Sequence, residues 1–420
     1  MTLRFADPAH LPPGSPDGAV GAPQFEDPTQ PPGWNKGIDA YKAAFGEEAW
    51  ATYGKASYPR PLPEDSPAMR AALAELVDAA RVAFGSKALR IRRRATHTAG
   101  IMARGKITVV SQPAFPEHPF FTPGRTFPCR LRHANASFYD DAAAVVRGCS
   151  LKFADSDFQS PLDMAMNSGP IGAFWNLESF MYFVNARVNV NPQEGDWESQ
   201  REWMLKRPMG LIGTISSARI GPSSFAEINY YTKVVFRFEA KDGEPRYVKF
   251  RVRPVGLETE SGLLPYENQI AAWDQSRAAD DKRPLDYLRQ EFRRRVYRSP
   301  GKPGVEYTLQ MQLRDADPAN DTQELLNMNQ LWDQATWPWL DVAHIQLDEV
   351  FPDEVTRKTR VWLGHQPEGL SLIGALSPLD YRSLAYARAF VYPASQLSRA
   401  LGTELEPPPP LGHDPWKIND

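Results

Sequence analysis

The chain has 420 residues, 42% of them hydrophobic, which is enough for a sizeable core in one large domain or in two or three smaller ones. Its net charge of −3 excludes an electrostatically driven nucleic-acid partner, and its two cysteines, Cys129 and Cys149, exclude a disulfide framework and a thiolate metal cluster. No apolar run reaches the roughly 18 residues of a membrane span and the start lacks the apolar core of a signal peptide, so we expect a cytoplasmic protein without a transmembrane segment.

Residues 1–60 form the first predicted segment. Many of the chain's 39 prolines fall here or just beyond, a composition that predicts an extended arm rather than a packed domain. Ser66 and Pro67 then provide an N-cap and a first helical position, so a helix should begin there and stop at Gly85.

A strand-rich body is predicted from about residue 89 to residue 350. Hydrophobic residues alternate with their neighbours on both sides of Asp242-Gly243, which predicts a β-hairpin, and a similar alternation runs from Val305 to Leu313. Helices are expected at about 176–187, 192–206 and 284–298. The last section, 353–420, should carry one more helix and a proline-rich tail.

The helix in that last section carries a pattern of its own. Arg388, Tyr392, Ser395 and Arg399 are spaced by four, three and four residues, so they would share one helix face. A tyrosine is a poor metal ligand while it keeps its proton, and a guanidinium one turn away favours the phenolate. An amphipathic helix with a buried tyrosine and surface arginines would show the same spacing, so the pattern alone leaves both interpretations open.

Six segments in order along the chain resemble the motifs of the catalase superfamily. The last of them, Arg388 to Tyr392 and onward to Arg399, resembles the proximal helix, in which an Arg lies four residues before the tyrosine that ligates haem iron. The other five segments are Arg94 to Gly100 (RATHTAG), Phe127 to Asn135 (FPCRLRHAN), Arg147 to Phe153 (RGCSLKF), Asp163 to Pro170 (DMAMNSGP) and Tyr247 to Phe250 (YVKF). The chain is therefore identified as a member of this superfamily.

The resemblance implies an α+β fold. It consists of an antiparallel β-barrel of about eight strands with surrounding helices, an extended N-terminal arm and a C-terminal helix that carries the proximal haem ligand. The implied division is an arm over 1–60, a helix and the haem-binding barrel over 61–352, and a wrapping segment with the proximal helix and tail over 353–420.

The resemblance also implies haem b as cofactor, with Tyr392 as the iron ligand and Arg388 beside it. His97 would be the distal base, and Asn167 would hold a peroxide oxygen over the iron. His133 stands where the family places an aromatic residue, so we do not expect it to be the base. The arginines expected to pair with the two haem carboxylates are Arg94, Arg132 and Arg399.

Departures from monofunctional catalases bear on the substrate. Thr96 replaces a Val, and Thr at this place is a feature of the catalase-related allene oxide synthases, which rearrange fatty-acid hydroperoxides. Ala134 replaces a Ser that orients the distal His, and Gln396-Leu397-Ser398 replaces a His-rich stretch. Small residues at 169–173 replace paired aromatics and should leave room for a substrate larger than hydrogen peroxide.

These residues together predict an enzyme that cleaves the O–O bond of a small-molecule hydroperoxide, with a fatty-acid hydroperoxide favoured and an isomerase, lyase or peroxidase outcome. The first alternative is a catalase acting on hydrogen peroxide or a general organic peroxidase. Others are a haem-binding protein without turnover and a barrel that binds no haem. Peripheral membrane access for a lipid substrate and a homo-oligomer remain open.

Overall fold

The computed structural model describes residues 5–6, 34–54, 65–136, 139–188, 200–264, 276–297, 304–317, 321 and 323–400. Its helices are α1 Trp34–Phe45, α2 Glu47–Ala49, α3 Pro67–Ile91, α4 Leu177–Val188, α5 Gln200–Lys206, α6 Pro208–Ser217, α7 Tyr287–Tyr297, α8 Asp353–Lys358 and α9 Ser383–Ala400. Its strands are β1 Phe5–Ala6, β2 Gly100–Val109, β3 Thr126–Asn135, β4 Val145–Lys152, β5 Asp163–Ser168, β6 Ala218–Arg219, β7 Tyr230–Tyr231, β8 Phe236–Glu239, β9 Pro245–Pro254, β10 Val305–Asp315, β11 Trp339–Val350 and β12 Leu370–Ile373.

Eight strands close into an antiparallel barrel. The ring runs β2, β3, β4, β5, β7, β9, β10 and β11, and β11 pairs again with β2. Strand β8 pairs with β9 outside this ring, β12 extends it, and the short strand β1 lies parallel to β12. Closure leaves the barrel without free strand edges. The predicted barrel and its surrounding helices are confirmed.

The interior of the barrel is apolar and tightly filled. The alternating residues of β10, from Tyr307 to Met311, are buried in the main core, as are both cysteines on β3 and β4. Burial raises the pKa of the Cys129 and Cys149 thiols, which keeps both neutral. The alternation that predicted the β8–β9 hairpin places Phe236 opposite Val248, as the pattern requires.

Helix α3 begins where its cap predicts and ends later than expected. The Ser66 hydroxyl accepts a hydrogen bond from the Met69 amide, but the helix continues past Gly85 to Ile91. The prediction that Gly85 stops the helix is wrong. A Cβ on Gly85 would lie 3.1 Å from the hydroxyl oxygen of Ser398 on α9, so this glycine allows two helices to approach closely.

The predicted N-terminal arm contains packed structure. Residues 34–54 are largely helical, and the buried Tyr41 of α1 donates a hydrogen bond from its hydroxyl to the Leu205 carbonyl. The expectation of an extended chain is wrong for this stretch, because buried apolar residues of α1 pack against α6. The remainder of the arm, apart from β1, and the tail beyond residue 400 lie outside the described residues. The division into three segments stays a prediction.

Two predicted helices, at 176–187 and 284–298, are confirmed as α4 and α7. Of the helix expected at 192–206, residues 200–206 form α5, and 192–199 lie outside the described residues. Within the described ranges, no helix combines the length and apolar character needed to cross a membrane.

Candidate active site

The candidate site lies on the outer face of the barrel, where three neighbouring strands present mostly small side chains. Side chains alternate between the faces of a strand, so residues two apart share a face with their cross-strand partners. One such row consists of Arg132, Ser150 and Ala165, and the next of Ala134, Gly148 and Asn167. Both rows line one cavity, together with His97, Met166, Arg388 and Tyr392. Residues about 300 positions apart in the sequence therefore meet in one place.

His97 reaches this cavity from the segment that joins α3 to β2. Its φ of 55° lies in the left-handed region, and its amide donates a hydrogen bond to the Ala136 carbonyl at 2.9 Å. Gly148 makes room for the ring, because a Cβ there would lie 2.6 Å from His97 Nδ1. The Arg-Gly-x-x-x-Lys-Phe segment thus needs a glycine at this position for a steric reason, which only the folded structure shows.

The imidazole of His97 is held neutral. Burial, reinforced by the charges of Arg132, Arg388 and Arg94, lowers the pKa of His97 to about 3. A neutral imidazole keeps one ring nitrogen as an acceptor. His97 can therefore accept a hydrogen bond from a molecule bound in the cavity.

The buried Arg132 and Arg399 and the half-buried Arg94 gather at the edge of this cavity. Arg94 donates to the Thr359 carbonyl at 2.6 Å, and Arg132 donates to the His97 carbonyl at 2.8 Å. Burial and the neighbouring Arg399 lower the pKa of Arg132 to about 9. The pKa values of Arg94 and Arg399 are lowered by burial and then by the charges of nearby arginines. The three guanidiniums therefore repel one another.

This cluster is suited to an anionic group. Among the described residues, Arg94 and Arg132 donate to backbone carbonyls rather than to carboxylates, and Arg132 Nε has no hydrogen-bond acceptor. Buried charges are costly unless they are paired. A ligand with two carboxylates would neutralise the cluster, as the predicted haem would. The residues present fit that group.

The opposite side of the cavity is formed by helix α9. Arg388 and Tyr392 lie one turn apart on it, and an Arg388 Nη2 hydrogen points at the Tyr392 hydroxyl oxygen, 2.9 Å away. The guanidinium therefore donates a charge-assisted hydrogen bond to the oxygen that is predicted to ligate iron. The helical face predicted from the spacing of these two residues is present in the structure.

His133 lies elsewhere. Its Nε2 is 2.8 Å from the Tyr307 hydroxyl and its ring stacks on Phe225 at 5.1 Å. Strand β3 and strand β10 are not neighbours, so this hydrogen bond crosses the barrel interior. The side chain of His133 therefore points away from the cavity that Arg132 and Ala134 line.

Thr96 is exposed and is not among the residues that line the cavity. Within the described part of the chain, no hydrogen bond joins its hydroxyl to His97. The neighbouring Thr98 instead donates its hydroxyl hydrogen to the Arg94 carbonyl at 2.9 Å. The role of the Thr96 hydroxyl stays a prediction.

The loop at 169–173 does not leave the open space expected of it. A Cβ on Gly169 would lie 2.1 Å from the Ser216 carbonyl oxygen, and Gly172 packs against Met328. Gly169 lets the loop approach α6, Gly172 lets it approach Met328, and neither glycine lines the cavity. The small residues that do line it are those of the barrel strands, which the loop pattern did not indicate.

Two buried cationic side chains near the site were not indicated by any pattern in the sequence. Arg360 stacks on Phe158, with its guanidinium carbon 4.3 Å from the ring centre, and it adds to the positive charge that acts on Arg399. Lys233, at φ 62°, donates to the Ser217 hydroxyl at 2.7 Å. Burial, then Arg219 and Arg388, lower the pKa of Lys233. Neither residue falls in one of the six motifs.

The barrel, with a buried arginine cluster between it and the last helix, defines a catalase-type architecture. A crystal structure of a fungal catalase superposes with a TM-score of 0.56 at 18% identity, covering 74% of this chain and 60% of that one. Catalase A from Saccharomyces cerevisiae gives 0.55 at 16% identity, with 73% and 61% covered. At these identities the likeness shows the fold.

The family model described as Catalase matches residues 83–407, and the chain belongs to this family. It is 42% identical over 313 residues to an allene oxide synthase-lipoxygenase protein of Plexaura homomalla, covering 74% of this chain and 28% of that protein. It is 29% identical over 332 residues to a linolenate 9R-lipoxygenase of Nostoc, with 76% and 40% covered. The chain thus spans less than half the length of these two relatives.

A further relative is a catalase-related peroxidase of Mycolicibacterium paratuberculosis. It is 26% identical over 170 residues, which cover 39% of this chain and 53% of that protein.

Proposed function

We propose that this chain binds haem b with Tyr392 as the axial ligand and cleaves the O–O bond of organic hydroperoxides. The observation that carries the proposal is the cavity in which His97 and Asn167, from the barrel side, face Arg388 and Tyr392 on α9. A neutral base, an amide donor and an arginine-supported phenol in one cavity are the groups that this chemistry requires.

Each side chain has a separate role in this proposal. His97 takes the hydroperoxide proton on a ring nitrogen, and its low pKa keeps that nitrogen available at neutral pH. The Asn167 amide donates a hydrogen bond to a peroxide oxygen without titrating. Arg388 stabilises the phenolate of Tyr392, and the bound haem iron would supply the redox chemistry that breaks the O–O bond.

The substrate proposed is a fatty-acid hydroperoxide. The relative that shares 42% identity over most of this chain is named as an allene oxide synthase-lipoxygenase, which supports a lipid substrate. Ala134 lines the cavity where catalases carry a Ser, so His97 has one orienting partner fewer. This difference weakens a cycle that needs two molecules of hydrogen peroxide more than it weakens a single cleavage of a larger hydroperoxide.

The test is a comparison of two substrates on haem-loaded protein. We expect kcat/KM for a fatty-acid hydroperoxide at least about tenfold above that for hydrogen peroxide, equivalent to roughly 1.4 kcal/mol of transition-state preference. The variant Ala134→Ser, which adds a hydroxyl to the lining of the cavity, should shift the ratio toward hydrogen peroxide. Vigorous oxygen evolution without consumption of the lipid hydroperoxide would instead establish the catalase alternative.

A further inference from the structure

Helix α9 contains a proline directly after Tyr392. Pro393 has no amide hydrogen, so it cannot donate to the carbonyl of Ala389, four residues earlier. That carbonyl is nevertheless satisfied, because the indole Nε1 of Trp362 donates to it at 2.7 Å. Trp362 and Ala389 are both buried, and water therefore has little access to this hydrogen bond.

A second contact joins the same two segments. Gln396 donates from its Nε2 to the Val361 carbonyl at 2.7 Å. Ala389 and Gln396 are seven positions apart, or two helical turns, and Tyr392 lies between them in the sequence. Residues 361 and 362 thus hold α9 on both sides of the turn that carries Tyr392. Gln396 is also one of the positions where the chain departs from the His-rich stretch of catalases.

The segment that holds α9 is itself fixed to the barrel by one buried carboxylate. Asp163 Oδ2 accepts a hydrogen bond from the Trp362 amide at 2.9 Å and lies 2.7 Å from His365 Nδ1. Lys152 Nζ lies 3.1 Å from both oxygens of Asp163. Asp163 begins β5, the strand that carries Asn167. A continuous set of buried hydrogen bonds therefore links the distal strand to the proximal helix.

We propose that residues 361–365, anchored on Asp163, form a proximal clamp that sets the position of the Tyr392 oxygen relative to the barrel. Trp362 and Gln396 are its positioning residues. The inference rests on the proposed function, because it takes Tyr392 as the iron ligand. A buried carbonyl without a donor is costly, and a helix with an interior proline bends at that point. Without the Trp362 donor, the turn that carries Tyr392 would shift.

The test removes one N–H group and then restores a partner. In haem-reconstituted protein, Trp362→Phe keeps the aromatic ring and deletes the donor. We expect a changed rhombic splitting in the EPR spectrum of the ferric protein and haemin loss to apomyoglobin that is roughly tenfold faster. Pro393→Ala supplies a new amide donor to the Ala389 carbonyl. In that background, Trp362→Phe should change haemin loss by less than about twofold.

Trp332 provides the matched control, because its Nε1 donates to the Leu325 carbonyl at 3.0 Å in the same kind of buried contact. Trp332→Phe should leave the EPR spectrum and haemin loss unchanged. Gln396→Met, which deletes the second contact, should shift both readouts in the same direction as Trp362→Phe and so tests the clamp independently.

Two results would overturn the clamp while leaving the proposed function intact. One is a wild-type ferric tyrosinate spectrum that neither Trp362→Phe nor Gln396→Met alters. The other is an equal change in Trp362→Phe and Trp332→Phe, which would indicate general destabilisation. If the wild type itself lacks a tyrosinate spectrum, the proposed function is wrong, and the clamp is wrong as well because it depends on that function.

Discussion

His97 shows how far the surroundings of one residue can change its chemistry. In water a histidine is half protonated near pH 6.5, whereas burial and three arginines lower the pKa of His97 to about 3. Its ring is therefore unprotonated throughout the neutral range and keeps one nitrogen free to accept a hydrogen bond. The structure also separates it from His133, which shares the sequence neighbourhood and lies inside the barrel.

Substitution of His97 should reduce activity strongly, whereas substitution of His133 should not. His97→Ala should reduce the rate of peroxide cleavage by at least about two orders of magnitude, the usual contribution of a positioned general base. His133→Phe should retain most activity, because the side chain of His133 does not line the cavity. Stopped-flow decay of the ferric Soret band reports both rates, and the reverse ranking would show that the assignment of the distal base is wrong.

The buried His133 should also make folding sensitive to acid. Burial lowers the pKa of His133 to about 3, so the unfolded chain takes up its proton near pH 6.5 and the folded chain does not. Stability is therefore lost as the pH falls below 6.5, by about 2 kcal/mol for this residue at pH 5. The free energy of unfolding, measured with urea, should fall between pH 7 and pH 5 by about 2 kcal/mol less in His133→Phe/Tyr307→Phe than in the wild type. An equal loss in both proteins would contradict this.

At the scale of elements, the sequence was informative wherever alternation or capping decided the structure. The β8–β9 hairpin, strand β10 and the start of α3 were predicted correctly, because their residues make the relevant contacts locally. Gly85 and the loop at 169–173 were misinterpreted, because Gly85 and Gly169 allow close approach to residues far away in the sequence, on α9 and α6. The φ of His97 and the Trp362 donor to α9 depend on tertiary contacts and leave no local pattern.

Gly148 on β4 provides a test at this scale. In Gly148→Ala the new Cβ would meet the His97 ring at 2.6 Å, so the ring must move while the strand pairing stays intact. Because misplacement of a catalytic group by about 1 Å can cost roughly 100-fold, we expect a loss of peroxide cleavage of at least about tenfold with haem still bound. Unchanged kinetics would mean that His97 does not act from its observed position.

At the scale of the whole molecule, the barrel and α9 contribute different groups to the same cavity. The barrel strands contribute the floor of the cavity and Asn167, the segment between α3 and β2 contributes His97, and α9 contributes Arg388 and Tyr392. The order of the six motifs was sufficient to predict this fold and the meeting of its two halves. Arg360 and the Asp163-anchored clamp come from positions to which those motifs assign no role, so only the three-dimensional packing shows them.

The central claim is that Tyr392 ligates haem iron, and one spectrum tests it most directly. Haem-reconstituted wild type should show the absorption and EPR features of five-coordinate, high-spin ferric tyrosinate, and Tyr392→Phe should lose them. Tyr386→Phe, which removes the hydroxyl of another buried tyrosine on the same helix, should keep them. A Tyr392→Phe protein with unchanged spectrum and haem content would contradict the assignment.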